Sequence, residues 1–381
     1  MAPQSREIDE RFMRRALKLA ERGRGHTWPN PAVGAVLVRG GKVVGEGWHR
    51  VVGLPHAEAI ALERAGAQAR GATLYVTLEP CAHAGRTPPC TAAIIAAKVS
   101  RCVVAVRDPH AIVDGRGLAA LRGAGIAVEV GVCADEAREV LGGYWLRHAE
   151  GRPRVTWKVA ATLDGRIADA QGNARWITGP EARERGHELR VASQAIIIGA
   201  GTARCDNPRL TARHAAAAGT AKGRGAKRGA ELRQPLRVVC DTRLRLPLSL
   251  QLFAGKLAQG TVVACGPQAT QAREAALVAR GVRVWRLPLT NGGVSPRALA
   301  RRLAREECQE VLLEGGAALG TAWLKASMVD RILMFVAPKL LGGGLAWCGP
   351  FGRGRLAQAT PGRIDSCESL GADALITVRL R

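Results

Sequence analysis

Short runs of Val, Ile and Leu, each bounded by glycine or charge and alternating with alanine-rich stretches of helical periodicity, recur along this chain. Such runs read as strands and the intervening stretches as helices, so the alternation predicts layered α/β architecture. Residues 9–22 place Phe12, Ala16, Leu19 and Ala20 on one helical face. Residues 33–38 and 42–48 flank Arg39, Gly40 and Gly41 as a β-hairpin. Helix is expected at 56–65, 91–98 and 118–123, and strand at 73–78, 103–106 and 128–130.

The pattern pauses at Gly151, Arg152 and Pro153 and restarts with a strand at Val155, which puts a boundary between residues 1–150 and 151–381. A chain of 381 residues exceeds what one core usually organises, and two domains fit it. Strands are expected in the second part at 195–198, 236–240, 261–265, 282–285, 311–313 and 331–336. Residues 215–229 are rich in Ala, Gly and Lys without apolar periodicity and read as a surface loop.

Mean hydropathy is −0.02, and charge or glycine interrupts every apolar run before the ~18 residues that a membrane span needs. Residues 1–15 carry no apolar stretch with a small-residue cleavage site, so a cytoplasmic protein is expected. The formal net charge of +24 points first to anionic partners. All but nine of the 56 basic residues are arginine, however, and they are spread over the whole length. Aromatic content is only 4%, which leaves few platforms for stacked bases. The expected partner is therefore a phosphorylated small molecule, without specific nucleic acid or membrane, in a homo-oligomer.

His56 and Glu58 in His-Ala-Glu precede Cys81, which follows a proline, and Cys90 at the end of Arg-Thr-Pro-Pro-Cys. One imidazole and two thiolates from His56, Cys81 and Cys90 supply three ligands to a tetrahedral zinc, one per chain, and leave the fourth position for water, as in a catalytic site. Glu58, at a helix start, reaches that position without joining the ligands and is the expected proton carrier between water and leaving amine. The order H-x-E followed by P-C matches the zinc-deaminase signature except in the spacing of the cysteines. The remaining cysteines read as buried small hydrophobes.

Pro29-Asn30-Pro31-Ala32-Val33-Gly34 and the segment from Glu79 to Cys90 resemble the pyrimidine deaminase domain of the bifunctional riboflavin-biosynthesis deaminase/reductases. Eight residues separate the two cysteines, where nucleic-acid and nucleoside deaminases usually have two. The resemblance implies that Asn30, His49, His83 and Arg86 bind the deaminase substrate. The family often has lysine at Arg86 and serine at Ala82; arginine keeps the charge.

The stretch 158–168, Trp176-Ile177-Thr178, the stretch 202–213, Glu314-Gly315-Gly316 and the stretch 337–342 resemble the reductase domain of the same family. The similarity spans essentially the whole chain and is weakest in the last forty residues. It implies a cytidine-deaminase-like α/β/α sandwich followed by a dihydrofolate-reductase-like α/β domain. By the same resemblance Ala160, Trp176, Thr202, Asp206, Thr242, Gly316, Ala317, Ala318, Leu319, Gly320, Thr321 and Ala322 contact NADPH. Ala174, Arg190, Leu210, Arg213 and Glu314 contact the reductase substrate, with alanine at 174 where relatives usually have serine. Independently, a strand, a Gly-Gly turn and a helix at 311–326 offer free amides to a pyrophosphate. The Gly199-Ala200-Gly201 stretch lacks the third glycine of a dinucleotide fingerprint, which disfavours a Rossmann domain.

The expected activity is zinc-dependent deamination of 2,5-diamino-6-ribosylamino-4(3H)-pyrimidinone 5′-phosphate, then NADPH reduction of the ribosylamino group to ribitylamino. The alternatives are a base deaminase acting on nucleic acid and a non-catalytic, zinc-stabilised nucleic-acid-binding protein. Glu58 speaks against the second, because a structural site needs no acid/base group beside it.

Overall fold

The computed structural model describes residues 3–83, 88–213, 232–352 and 354–380. Arg86 and the loop at 215–229 lie outside the described residues. The chain divides into two compact units, Met1–Gly151 and Arg152–Arg381. Among the described residues, no helix is long and apolar enough to cross a membrane.

In the first unit α1 (Pro3–Glu21) precedes β1 (Gly34–Arg39), β2 (Lys42–Trp48), α2 (Ala57–Ala65), β3 (Thr73–Val76) and α3 (Cys90–Ala96). Then come β4 (Arg101–Val104), α4 (Arg116–Gly123), β5 (Ala127–Val130), α5 (Ala134–Leu141) and α6 (Gly143–Glu150). The sheet order is β2-β1-β3-β4-β5, antiparallel at β1 and parallel from β3 to β5. Side-chain alternation along β1 sorts the core into two layers. Val36 and Val38 pack with Met13 and Ala16 of α1, Val140 of α5 and Tyr144 of α6. Ala35 and Leu37 face the other way, onto Ala57 and Ala61 of α2, Ile94 of α3 and Leu121 of α4. The result is the expected α/β/α sandwich.

The second unit opens with β6 (Arg154–Thr162), β7 (Arg166–Ala168), α7 (Pro180–Val191), β8 (Ala195–Gly199), α8 (Ala200–Asp206), β9 (Leu236–Cys240) and α9 (Gly255–Gln259). It continues with β10 (Thr261–Cys265), α10 (Gln271–Val278), β11 (Arg283–Arg286), β12 (Leu289–Thr290), β13 (Gly293–Val294) and α11 (Pro296–Arg305). It closes with β14 (Glu310–Leu313), α12 (Ala317–Lys325), β15 (Arg331–Ala337), β16 (Leu345–Ala346), β17 (Arg363–Leu370) and β18 (Asp373–Arg379).

Nine strands form one sheet in the order β11-β10-β9-β8-β14-β6-β15-β18-β17. It is parallel from β11 to β15, and the β17–β18 hairpin adds an antiparallel edge. Its central strands read as unbroken apolar runs because both faces are covered, one by Trp157, Leu299 and Trp323, the other by Leu252, Phe253 and Leu277. Buried Asp330 accepts two bonds from Arg152 at 2.8 and 2.9 Å and one from the amide of Val155 at 2.8 Å, which ties the start of β6 to the start of β15. That parallel sheet with its antiparallel edge is the expected dihydrofolate-reductase-like α/β arrangement.

Candidate functional site

Helix α2 lies directly on β2. A Cβ added to Gly45 would stand 2.2 Å from the carbonyl of Ala61, and one added to Gly47 would stand 2.5 Å from that of Ala57. The two glycines thus let the helix approach close enough to fix where its first turn begins, and that turn carries His56 and Glu58. Cys90 is the first residue of α3, and Cys81 ends the segment after β3.

The Nδ1 of His56 is 3.2 Å from the Cys90 sulfur and 3.7 Å from the Cys81 sulfur. All three donor atoms lie within 4.8 Å of one another. One nitrogen and two sulfurs at that spacing fit zinc by chemistry and by number. A hydrogen bond with Cys90 draws the Cys81 thiol down to about 4 against the effect of burial, and His56 adds to it. Cys90, on the other side of that bond and itself buried, is pushed up. The Cys81 bond likewise raises His56. Glu58 is 3% exposed, and burial raises its pKa although its own backbone amide and His56 pull the other way.

His49 is buried beside His56, ring centroids 5.3 Å apart and edge to face. Its Nδ1 donates to the Pro55 carbonyl at 3.3 Å, which leaves Nε2 to accept from the Asn30 amide at 3.2 Å. Burial lowers its pKa and His56 lowers it further, against the Pro55 bond. Asn30, His49 and His56 therefore meet in one place. His83 is exposed and acts electrostatically on Asp108 and His110.

Two contributions were not legible in the sequence. Glu79, 4% exposed, accepts the amides of Asp108, Gly115, Gly117 and Leu118 at 2.9 to 3.3 Å. It binds the start of α4 to the segment that carries Cys81, and its place in Glu-Pro-Cys was the one signal available. Asp108 accepts the Tyr144 hydroxyl at 3.0 Å on both oxygens and the His110 amide at 2.9 Å. Burial pushes its carboxyl up to about 6, partly offset by the His110 amide and Tyr144.

In the second unit Arg190, in the last turn of α7, grips Glu314 just after β14 with two bonds of 2.7 Å. Burial alone would raise Glu314, but Arg190 and Lys158 outweigh it and its pKa falls. Lys158 on β6 is lowered by burial, with Glu314 opposing and Arg190 adding. Its place in the stretch 158–168 gives it no role, and parallel pairing of β6 with β14 brings it near this pair. Arg213 is exposed, its Nη2 3.3 Å from His187 Nε2. Leu210 is buried in the core at a positive φ of 49°. Ala174 is exposed.

Gly320 belongs to helix packing, since a Cβ there would meet the Trp157 ring at 1.9 Å. Gly201 and Gly316 do not: an added Cβ meets nothing within 4 Å at Gly201, and at Gly316 only the Thr202 hydroxyl at 3.8 Å. That open shelf beside Thr202 and the start of α12 is room a cofactor phosphate would occupy, so the residues fit a dinucleotide. Thr321 is turned away, accepting the Gly349 amide at 2.8 Å. Ala317 is buried, Leu319 half-buried, and Ala318 and Ala322 exposed. Ala160 is half-buried on β6, and the Thr242 carbonyl accepts the Gly266 amide at 2.9 Å. Trp176 is 65% exposed with the Arg183 guanidinium 4.6 Å from its ring centroid. The Asp206 carbonyl accepts from Arg175 at 3.2 Å.

The model of the cytidine and deoxycytidylate deaminase zinc-binding region matches residues 6–106, and that of the RibD C-terminal domain matches residues 153–375. The riboflavin biosynthesis protein RibD of Aquifex aeolicus is 40% identical over 97% of this chain and 98% of its own, and that of Escherichia coli 39% over 97% and 98%. The structure of Acinetobacter baumannii RibD, form 1, superposes with a TM-score of 0.80 at 35% identity, covering 99% of each chain. A diaminohydroxyphosphoribosylaminopyrimidine deaminase/5-amino-6-(5-phosphoribosylamino)uracil reductase from Thermotoga maritima superposes with a TM-score of 0.76 at 32% identity, covering 99% of this chain and 100% of that one.

Proposed function

The chain belongs to the family of bifunctional riboflavin-biosynthesis deaminase/reductases, enzymes with a zinc-binding deaminase domain and an NADPH-dependent reductase domain, and we propose how its residues divide that work. Residues 1–150 deaminate the diaminopyrimidine ribosyl phosphate, and residues 151–381 reduce the ribosylamino group of the product to ribitylamino. The convergence of His56, Cys81 and Cys90 on one point beside buried Glu58 carries the first assignment.

His56, Cys81 and Cys90 would hold zinc, which when bound would supply a Lewis acid able to activate water near neutral pH. Glu58, raised by burial, takes a proton at its carboxylate from the attacking water and returns it to the departing amine. Asn30 and His49 hold the pyrimidine, His49 through an imidazole whose tautomer the Pro55 carbonyl sets. His83 and Arg86 meet the phosphorylated sugar.

NADPH supplies the hydride for the second step. Ala160, Trp176, Thr202, Asp206, Thr242 and, from the segment 316–322, residues 316–319 and Ala322 hold the cofactor, while Ala174, Arg190, Leu210, Arg213 and Glu314 hold the ribosylamino substrate; Gly320 and Thr321 serve packing instead. We add Lys158, which lies within electrostatic reach of Glu314 and Arg190 and carries a proton that burial makes easier to give up. The enzyme works in the cytoplasm as a homo-oligomer and takes no specific nucleic acid.

Full-length protein incubated with the diaminopyrimidine phosphate should release ammonia without NADPH and consume NADPH only after deamination. Removing zinc with a chelator should stop ammonia release and leave NADPH oxidation intact when the already deaminated compound is supplied. Zinc-dependent NADPH oxidation on that compound would overturn the division of labour. Binding to transfer RNA or single-stranded DNA should be weak and lost steeply with salt, without base conversion.

A further inference from the structure

We infer that Arg243 reads the 2′-phosphate of the cofactor and so sets the preference for NADPH over NADH. The inference rests on the cofactor cleft proposed above and adds a residue that neither sequence motif nor resemblance assigned.

The parallel sheet locates the residue. Strands β9 and β14 run in the same direction with β8 between them, so the loops after both strands leave from one edge of the sheet. The loop after β14 is Glu314-Gly315-Gly316 and leads into α12; the loop after β9 carries Asp241, Thr242 and Arg243. Two strand spacings, roughly 10 Å, separate these loops. Substrate groups Arg190, Glu314 and Lys158 cluster at β14 and β6, on one side of the phosphate shelf. With the nicotinamide directed to that side, the adenosine would extend the other way, over β8 to β9. Its ribose then lies where Thr242 and Arg243 begin their loop.

That loop is braced. Buried Asp241 accepts the Leu246 amide at 2.8 Å, and the Thr242 carbonyl accepts from Gly266. Arg273 donates to the carbonyl of Leu244 at 2.8 Å and to that of Leu246 at 2.5 Å. Leu244 and Leu246 are buried, whereas Arg243 is exposed and pairs with no carboxylate among the described residues. Neighbouring arginines are committed elsewhere: Arg237 to Thr261 and the Leu257 carbonyl, Arg286 to Glu274. An unpaired guanidinium on a rigid turn loses little entropy on meeting a phosphate dianion and can hold two of its oxygens together. Arg245 also is exposed, but it comes after Leu244, where a positive φ of 53° turns the chain. It serves as a charge-matched control.

The test is equilibrium binding of NADP⁺ and NAD⁺, and of adenosine 2′,5′-bisphosphate and adenosine 5′-monophosphate, to the full-length protein by calorimetry. Wild type should favour the 2′-phosphorylated member of each pair. Arg243→Ala should weaken those members roughly 10- to 100-fold while the affinities for NAD⁺ and adenosine 5′-monophosphate stay near wild type, because one charge-assisted contact is lost. Arg245→Ala should preserve the preference. Equal losses for both members of a pair, an equal loss in Arg245→Ala, or an undiminished preference in Arg243→Ala would overturn the inference. Failure of wild type to bind NADP⁺ at all would instead overturn the cofactor cleft on which it rests.

Discussion

The Nδ1 of His56 stands 3.2 Å from the sulfur of Cys90, although 34 residues separate them in the chain. With Cys81 they form a three-donor cluster, and each donor is needed to hold the ion. Cys81→Ser and Cys90→Ser should each lose zinc, measured by metal analysis of the purified protein. Glu58→Gln should keep zinc and lower deamination about 100- to 10,000-fold, since the amide keeps the shape but carries no proton. Near wild-type ammonia release from that variant would remove Glu58 from the mechanism.

Glu79→Ala removes the acceptor of four backbone amides, three of them buried. The expected loss is about 2 to 4 kcal/mol of stability in the first unit. Chemical denaturation followed by a probe in that unit checks it. Because the same carboxylate locates the Cys81 segment, zinc affinity should fall alongside, and unchanged affinity would show that Cys81 is placed by other contacts.

Asp108 gives the first unit a pH dependence of definite sign. Its folded pKa of about 6 lies above the ordinary 3.8, so the unfolded chain ionises first as pH rises. Its contribution is fully present below about pH 3.8 and is lost as pH passes through about 6, in total roughly 3 kcal/mol. Asp108→Asn cannot ionise. Between pH 4 and pH 7 its stability relative to wild type should therefore rise, and a difference independent of pH would contradict the buried acid.

Glu314→Gln breaks the bidentate pair with Arg190 and leaves a guanidinium without its counter-charge. Reductase kcat/KM should fall roughly 100-fold, equivalent to about 3 kcal/mol, with ammonia release from the first unit unchanged in the same preparation. Arg213→Ala should raise the reductase KM for the phosphorylated substrate with little change in kcat. A fall in kcat alone would argue that Arg213 acts on the chemistry and not on the phosphate.

Most of the strands and the ligand set of the zinc site were legible before any coordinates, because both depend on local information. Alternation of side chains along β1 and the helical period of α1 are short-range patterns, and histidine, glutamate and cysteine declare their chemistry by type. Helices α5 and α6 escaped the reading because Gly142 and Gly143 interrupt the period between two short segments. The β17–β18 hairpin escaped it because β17 is an edge strand exposed along nearly its whole length, with no apolar run to announce it.

By itself the sequence determined the two-part α/β layout, the three residues whose donor atoms converge and the glutamate buried beside them. Tertiary structure decided that Glu79 gathers amides from 29 to 39 residues away, and that Tyr144 on the last helix of the first unit meets Asp108. It also decided that buried Lys158 comes within electrostatic reach of an ion pair whose members lie 124 residues apart. The physical reason is one of range. A periodicity reports which face of an element is buried, but which polar groups share that buried space depends on strand order and on how closely the layers approach, and no local pattern carries either.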